Sequence, residues 1–255
     1  MLSDNPLTPL EPNSKELLVE AMDQNVFIKP VRSTERPEAI AARLFSDIAG
    51  DYQRWARVLS LGQDGRWRRL MVDGIRLPPG SLILDVAAGT GSISRLLEAR
   101  GYRVVAVDLS QEMLALHSGH HRVRAVADHL PFGPETFDAI TFGYLLRYVD
   151  DPVATLRETS RVLRPGGQVG MVEFGRPQGP VGLLWRLYVS VVLPMAGAVI
   201  GPGWLEVGRF LGPSIEQFHI DHPELALRWE EAGLIDVTVR RPSLGGGLVM
   251  WAVKP

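Results

Sequence analysis

The stretch Leu82-Ile83-Leu84-Asp85-Val86-Ala87-Ala88-Gly89-Thr90-Gly91-Ser92 decides the fold. An apolar run ends on an acid, passes a Gly-x-Gly turn and continues into the helix-like Ile93-Ser94-Arg95-Leu96-Leu97-Glu98. This reads as the strand–loop–helix opening of a nucleotide site, where bare backbone lets a ligand approach closely. A dinucleotide fingerprint wants a third glycine three residues after Gly91, where Ser94 stands, and holds pyrophosphate on the helix N-terminus. Here the Asp85 carboxylate precedes the loop instead. It repels phosphate and suits an ammonium group or a sulfonium. S-adenosylmethionine carries both and no phosphate.

Outward from this stretch, Arg103-Val104-Val105-Ala106-Val107-Asp108 reads as the next parallel strand, ending in an acid 17 residues after Gly91. An acid at that tip can accept hydrogen bonds from both ribose hydroxyls; the alternative is that Asp108 only caps the helix starting near Ser110. Strands are expected at Leu82–Ala87, Val104–Asp108, Val123–Ala127, Phe137–Phe142 and Gln168–Phe174, with helices near Ile93–Arg100, Gln111–His117 and Val153–Leu163. Alternation at this spacing means parallel strands with right-handed crossovers. Arg164-Pro165-Gly166-Gly167 reads as a helix stop and turn. After a helix at Pro223–Ala232, strands at Ile235–Arg240 and Gly247–Val253 flank the glycine-rich Ser243–Gly247 link, which predicts a hairpin and an antiparallel last strand. The expected fold is α/β and Rossmann-like: a seven-stranded, mostly parallel sheet with helices on both faces.

Composition bounds the rest. A chain of 255 residues, 45% hydrophobic, can bury the core of one domain. A net charge of −2 offers no basic field for nucleic acid, so no nucleic-acid partner is expected. The absence of cysteine excludes disulfides, thiolate metal sites and cysteine nucleophiles, and fits a cytoplasmic protein. The six histidines read as scattered or in polar loops, so no metal site is expected. Met1–Pro6 lacks a signal peptide's basic start, so no leader is expected. Residues 1–37 read as a partly flexible arm with a helical piece near Lys15–Met22; 38–77 as a helical cap on the single domain 38–255; and 178–215 as an apolar lid. Within that last stretch Val181–Ile200 holds one charge, Arg186, and one proline, Pro194. Its length approaches a membrane span, but both residues and its place inside the sheet argue against spanning. Two readings stay open: a buried helical hairpin, or a lid over an apolar pocket that touches a membrane surface peripherally.

These residues resemble class I S-adenosylmethionine-dependent methyltransferases of the ubiquinone/menaquinone biosynthesis C-methyltransferase family. The resemblance runs from Phe45 to the C-terminus. It rests on Phe45–Tyr52, Leu59–Gly62 with Trp67–Arg69, the Asp85–Gly91 loop, Val107–Ser110, Leu130-Pro131-Phe132, Leu146-Arg147, Val162–Gly167 and Glu173–Pro177. It implies cofactor contacts at Asp85, Ala87, Gly89, Thr90, Gly91, Asp108, Leu109, Met113 and Gly143. Adenine recognition is implied at the Ala127 backbone or Asp128. Four positions depart from the family pattern: Val126 where Asp or Asn usually precedes Ala, Gly143 where Ser is usual, Tyr148 where Asn is usual, and Ala252 where His is frequent.

The implied reaction is transfer of methyl to an aromatic carbon beside a phenol, most simply on a demethylmenaquinol-like, prenylated acceptor. Such a displacement needs positioning, exclusion of water and electron density on the ring. Arg147 is the first candidate for holding an oxyanion; its alternative is a salt bridge to Asp150 or Asp151. Tyr148, with Tyr52 and Tyr144, is placed to hydrogen-bond or stack on a ring. Glu173, ending the fifth strand, is a candidate base or anchor. His219 and His222 read as solvated-loop residues. A homodimer is the assembly expected. Alternatives are another phenolic acceptor at carbon or oxygen, a nicotinamide-dependent oxidoreductase, and a methyltransferase-fold partner without activity.

Overall fold

The computed structural model describes residues 37–255. The expected arm lies outside them but for Pro37, and so does its helical piece at Lys15–Met22. Among the described residues three helices precede the sheet: α1 (Pro37–Ser46), α2 (Tyr52–Leu59) and α3 (Gln63–Gly74). Then β1 (Leu82–Val86), α4 (Ser92–Glu98), β2 (Arg103–Asp108), α5 (Gln111–Ala115), β3 (Arg122–Arg124), β4 (Phe137–Gly143), α6 (Pro152–Val162) and β5 (Leu163–Phe174) alternate. Next come α7 (Gly179–Leu187), a π-helical turn (Tyr188–Val192), α8 (Leu193–Ile200) and α9 (Pro202–Asp221). The chain closes with α10 (Leu225–Glu231), β6 (Ile235–Arg240) and β7 (Gly247–Val253).

The sheet order is β3-β2-β1-β4-β5-β7-β6, and β7 runs antiparallel to both its neighbours while the first five strands are parallel. Chain order reverses between β1 and β4, so their carboxyl ends open a crevice. Every residue of β1 is buried, as expected where helices cover both faces. The pleat divides the strands: Leu84, Ile140 and Phe142 join one core with Leu156 of α6 and Trp229 of α10, while Ile83, Ala139 and Val172 join another with Met71 and Val72 of α3. Each buried Leu, Ile, Val, Phe or Met among these contributes about 1.5–3 kcal/mol.

Three local readings change. The third strand pairs only over Arg122–Arg124 instead of reaching Ala127; a Val126–His129 bridge then turns the chain, leaving Ala127 and Asp128 in a loop. The helix expected through His117 ends at Ala115. Arg164–Gly167 is an excursion inside β5, with Gly166 at φ +74° and its N–H bonded to Lys254 O.

The apolar segment departs most. It does form a hairpin with α9, and Gly208 allows close approach, since a Cβ there would stand 2.9 Å from Leu193 O. It is not buried. Gly179–Ile200 is one continuous 22-residue helix, long and apolar enough to cross a membrane by length and composition, with only 17% of its most apolar window buried. Leu183, Leu184, Leu187, Val191, Met195 and Val199 are exposed at helical spacing. The buried-hairpin reading is therefore wrong in its burial.

Candidate active site

Two cavities meet at the carboxyl edge of the sheet. The first, about 1010 Å³ with its solvent-open mouth included, is lined by the tips of β1, β2 and β4, the loop after β3, and α1. Ala87, Gly89, Thr90, Asp108, Leu109, Met113, Ala127, Asp128 and Gly143 all line it. Gly89, at φ +56°, faces open space where a Cβ would fill the cradle. Ala87, a non-glycine at φ +53°, turns the chain out of β1 at a cost of about 1–3 kcal/mol.

Asp108 organises this loop. Its Oδ2 accepts the Gly89 N–H at 2.7 Å and its Oδ1 the Ser110 N–H at 2.8 Å. The helix cap is instead Ser110, whose Oγ accepts from Met113 N, so the capping alternative for Asp108 falls. Burial raises the Asp108 carboxyl above its usual range, and those backbone donors pull it back.

Asp85 and Gly91 do not line the cavity. Asp85 is fully buried and accepts hydroxyl hydrogens from Ser94 (2.6 Å) and Thr141 (2.9 Å). Ser94 thus stands in the third-glycine position to anchor the acid. Burial raises the Asp85 carboxyl to about 6, against the pull of these two hydroxyls. Gly91 makes room for the His117 ring, which a Cβ would meet at 2.8 Å. His117 lies in the loop after α5, but it is buried and not solvated. Its Nδ1 accepts the Gly119 N–H, so Nε2 carries the hydrogen and donates to Ser94 Oγ at 2.9 Å.

Burial, aided by Arg122 and Arg95, lowers the His117 imidazole to about 4. With a depressed folded-state value, its contribution to stability is full above the free value near 6.5 and is lost as pH falls toward 4. Asp85, with a raised value, acts in the opposite sense, so the wild type must be compared with a variant that keeps Asp85. Between pH 7 and 4.5 the urea midpoint of the wild type will fall relative to that of His117→Gln. Parallel midpoints would remove the buried neutral histidine.

The second cavity, of about 1220 Å³, lies between α2, α3, the loop after β4 and the α7–α9 helices. Phe45, Tyr52, Tyr144 and Tyr148 line both cavities and form their shared wall. Arg147 lines the second, with Tyr148 beside it. Arg147 pairs with neither Asp150 nor Asp151 as the sequence alternative had it. Its Nε donates to Glu173 Oε1 at 2.9 Å and its Nη1 to Ser214 Oγ at 2.9 Å. Both charged side chains are 1% exposed. Burial, the largest single influence, opposes the Arg147 charge, but Glu173, Tyr148 and Tyr144 together outweigh it and raise the guanidinium above its ordinary value. Glu173 does not line the cavity; its Oε1 also takes the Phe174 N–H, and Oε2 is without a hydrogen-bond partner. The Tyr148 hydroxyl is likewise buried and unpartnered. His219 lies in the last turn of α9, with Nε2 against Phe174 O at 2.9 Å, and His222 caps that helix, so neither is a loop residue.

Sequence reasoning missed Arg68, Asp64 and Gln53. Arg68 is 7% exposed and lines the first cavity, while Asp64 lines the second. Gln53 Nε2 donates to Thr90 O and Oγ1 at 3.1 and 2.8 Å. The one available signal was three arginines and an acid on an aromatic helix (Asp64, Arg66, Arg68, Arg69), which reads equally as a solvated face.

A family model described as the ubiE/COQ5 methyltransferase family matches residues 33–254. The chain belongs to that family. A demethylmenaquinone methyltransferase of Renibacterium salmoninarum is 38% identical over 84% of this chain and 91% of its own length. A ubiquinone/menaquinone biosynthesis C-methyltransferase UbiE of Desulfotalea psychrophila is 34% identical over 83% and 89%. In fold, the chain is similar to an S-adenosylmethionine-dependent methyltransferase of Thermotoga maritima (TM-score 0.57, 18% identity, 84% of this chain and 99% of that one). It is also similar to a phosphoethanolamine N-methyltransferase 2 of Haemonchus contortus (TM-score 0.58, 17% identity, 89% and 62%). The protein is an S-adenosylmethionine-dependent methyltransferase, which sets aside the oxidoreductase and inactive-partner readings.

Proposed function

We propose that this methyltransferase alkylates a ring carbon of a demethylmenaquinol-like substrate drawn from a bilayer surface. The observation that carries the reading is the second cavity. It is walled by aromatic and aliphatic side chains, joined to the first through four aromatic residues, and holds one buried, permanently charged guanidinium. A prenylated quinol fits that combination: its tail suits the apolar wall and its ring oxygen suits Arg147. The curated relatives named for demethylmenaquinone support the same acceptor.

S-adenosylmethionine supplies an electrophilic methyl on sulfur when bound. Asp108 would take its ribose, Ala127 and Asp128 the adenine, and Arg68 the methionine carboxylate. Asp85, held behind the loop by Ser94 and Thr141, would act on the ammonium through the backbone it fixes or through water. Arg147 holds the phenolic oxygen, and Glu173 positions Arg147. The unpartnered Tyr148 hydroxyl offers the acceptor a hydrogen bond.

The lid reading of the apolar helix supports a bilayer source. Trp185, Tyr188, Val189 and Leu193 face the cavity, while the exposed leucines and valines face outward, so the helix is apolar on both sides. The Tyr188 hydroxyl ties it to Leu59 O at the end of α2, which carries exposed Arg54, Arg57 and Val58, with Leu61 exposed just beyond. Arginines beside an aliphatic face suit an anionic lipid surface.

Labelled S-adenosylmethionine and demethylmenaquinol in anionic phospholipid vesicles test the function. Label in the quinone ring supports it; label reaching only soluble phenolics keeps the class and rejects the acceptor. Leu183→Glu with Leu187→Glu will cut vesicle co-sedimentation at least tenfold and leave methylation of a short-chain, soluble naphthoquinol within twofold. Unchanged sedimentation would remove the bilayer face.

A further inference from the structure

Methyl transfer to carbon needs a phenolate ring, so a proton must leave the acceptor oxygen before or as the bond forms. Arg147 cannot take it, because its guanidinium stays charged. Glu173 is spent on Arg147 and lies outside the cavity lining. The one carboxylate lining the second cavity, among the described residues, is Asp64.

Its surroundings are built rather than incidental. Both Asp64 oxygens accept from Arg68 Nε, at 2.8 and 2.9 Å, and Oδ1 also accepts from the Tyr144 hydroxyl at 2.6 Å. Tyr144 is a non-glycine residue at φ +58°, a backbone state that costs about 1–3 kcal/mol. The fold sustains it with a Tyr144 N–H bond to Val172 O, a ring contact with Phe174 at 4.7 Å and the Arg68 guanidinium 5.0 Å over its face. The strained turn after β4 thereby aims one phenol across 80 positions of sequence at one acid. Tyr144 borders both cavities, at the wall through which the methyl must pass.

We propose that Tyr144 and Asp64 form a two-residue proton relay that ionises the acceptor phenol. This rests on the phenolic-acceptor reading above. The substrate O–H proton passes to Tyr144 Oη as the Tyr144 proton passes to Asp64, which becomes the neutral acid. The ring carbon ortho to the phenolate then forms its bond to the methyl, and the C–S electron pair stays on sulfur. The resulting dienone loses its ring proton to water and regains its oxygen proton from Asp64 through Tyr144. One proton is released per methyl transferred, and no further co-reactant is needed. Tyr144 is never a free phenolate in this path, consistent with burial and Asp64 holding its hydroxyl well above the ordinary tyrosine value. Arg68, whose Nε donates to both Asp64 oxygens and whose side chain lines the first cavity, couples the relay to that cavity.

Tyr144→Phe removes only the hydroxyl and keeps both ring contacts, so it is the decisive variant; Asp64→Asn is the second. Each is assayed with a demethylated naphthoquinol and with a ring-fluorinated analogue already ionised at the assay pH. Expected is a loss of kcat of about 10²-fold or more on the ordinary quinol. KM for the quinol and S-adenosylhomocysteine affinity of Tyr144→Phe should stay within threefold. On the ionised analogue the ratio of variant to wild type should return to within fivefold, which a merely structural role would not produce. Retained kcat in Tyr144→Phe, or an equal loss on both acceptors, overturns the relay while leaving the acceptor reading intact. A wild type that methylates neither phenol overturns both.

Discussion

Arg147→Leu will lose about 3–5 kcal/mol of stability, and on activity it will lose about 10²–10³-fold in kcat. Both effects come from one side chain at 1% exposure paired with another at 1%. Removing the guanidinium leaves the Glu173 carboxylate buried with one oxygen already unpartnered, a charge without compensation. The double variant Arg147→Leu/Glu173→Gln separates the two roles. It removes the stranded charge while its amide oxygen can still accept the Phe174 N–H, so most of the lost stability should return. Activity should not return, because the cation facing the acceptor is still missing. Urea midpoints and kcat, measured on both variants, check this. Recovery of kcat together with stability would make Arg147 a structural residue and remove it from the chemistry.

The topology was legible because it follows from local signals. The alternation of apolar runs with helix patterns gave five parallel strands, and the Ser243–Gly247 link gave the antiparallel β7. The cofactor edge was legible for a related reason. Gly89, Thr90 and Asp108 belong to one strand–helix–strand unit, where spacing in sequence nearly dictates spacing in space.

What stayed hidden depends on distant packing. Asp64 and Arg68 sit four apart on α3, a spacing that usually marks a solvated surface pair. Only the tertiary fold, by placing Tyr144 against them, makes that pair a buried partner of two cavities. The same holds for His117, whose burial depends on the bare backbone of Gly91 and Gly119. For Arg147, two nearby acids in sequence were the wrong partners, since β5 delivers Glu173 and α9 delivers Ser214. The apolar segment shows the converse limit. Hydropathy located it, but a helix apolar on both faces gives no sign of which side meets solvent.

Asp108→Ala will weaken S-adenosylhomocysteine binding by at least 100-fold. The carboxylate takes two backbone N–H groups, one from the glycine of the cofactor loop and one from the start of α5. Hydrogen bonds to a charged group contribute about 1.5–3 kcal/mol each, and 1.4 kcal/mol is tenfold in affinity. Alanine therefore frees the Gly89 turn as well as removing the ribose acceptor. Asp108→Asn keeps one carbonyl oxygen for one of these donors, so its loss should be intermediate, about tenfold. Calorimetric titration measures both. A second readout follows from linkage: ligand at 100 times its Kd stabilises the wild type by about 2.7 kcal/mol, and that increment should fall to about 0.4 kcal/mol or less in Asp108→Ala at the same concentration. Binding by Asp108→Ala within threefold of wild type would remove the acid from cofactor binding, both as ribose acceptor and as the anchor of the Gly89 turn.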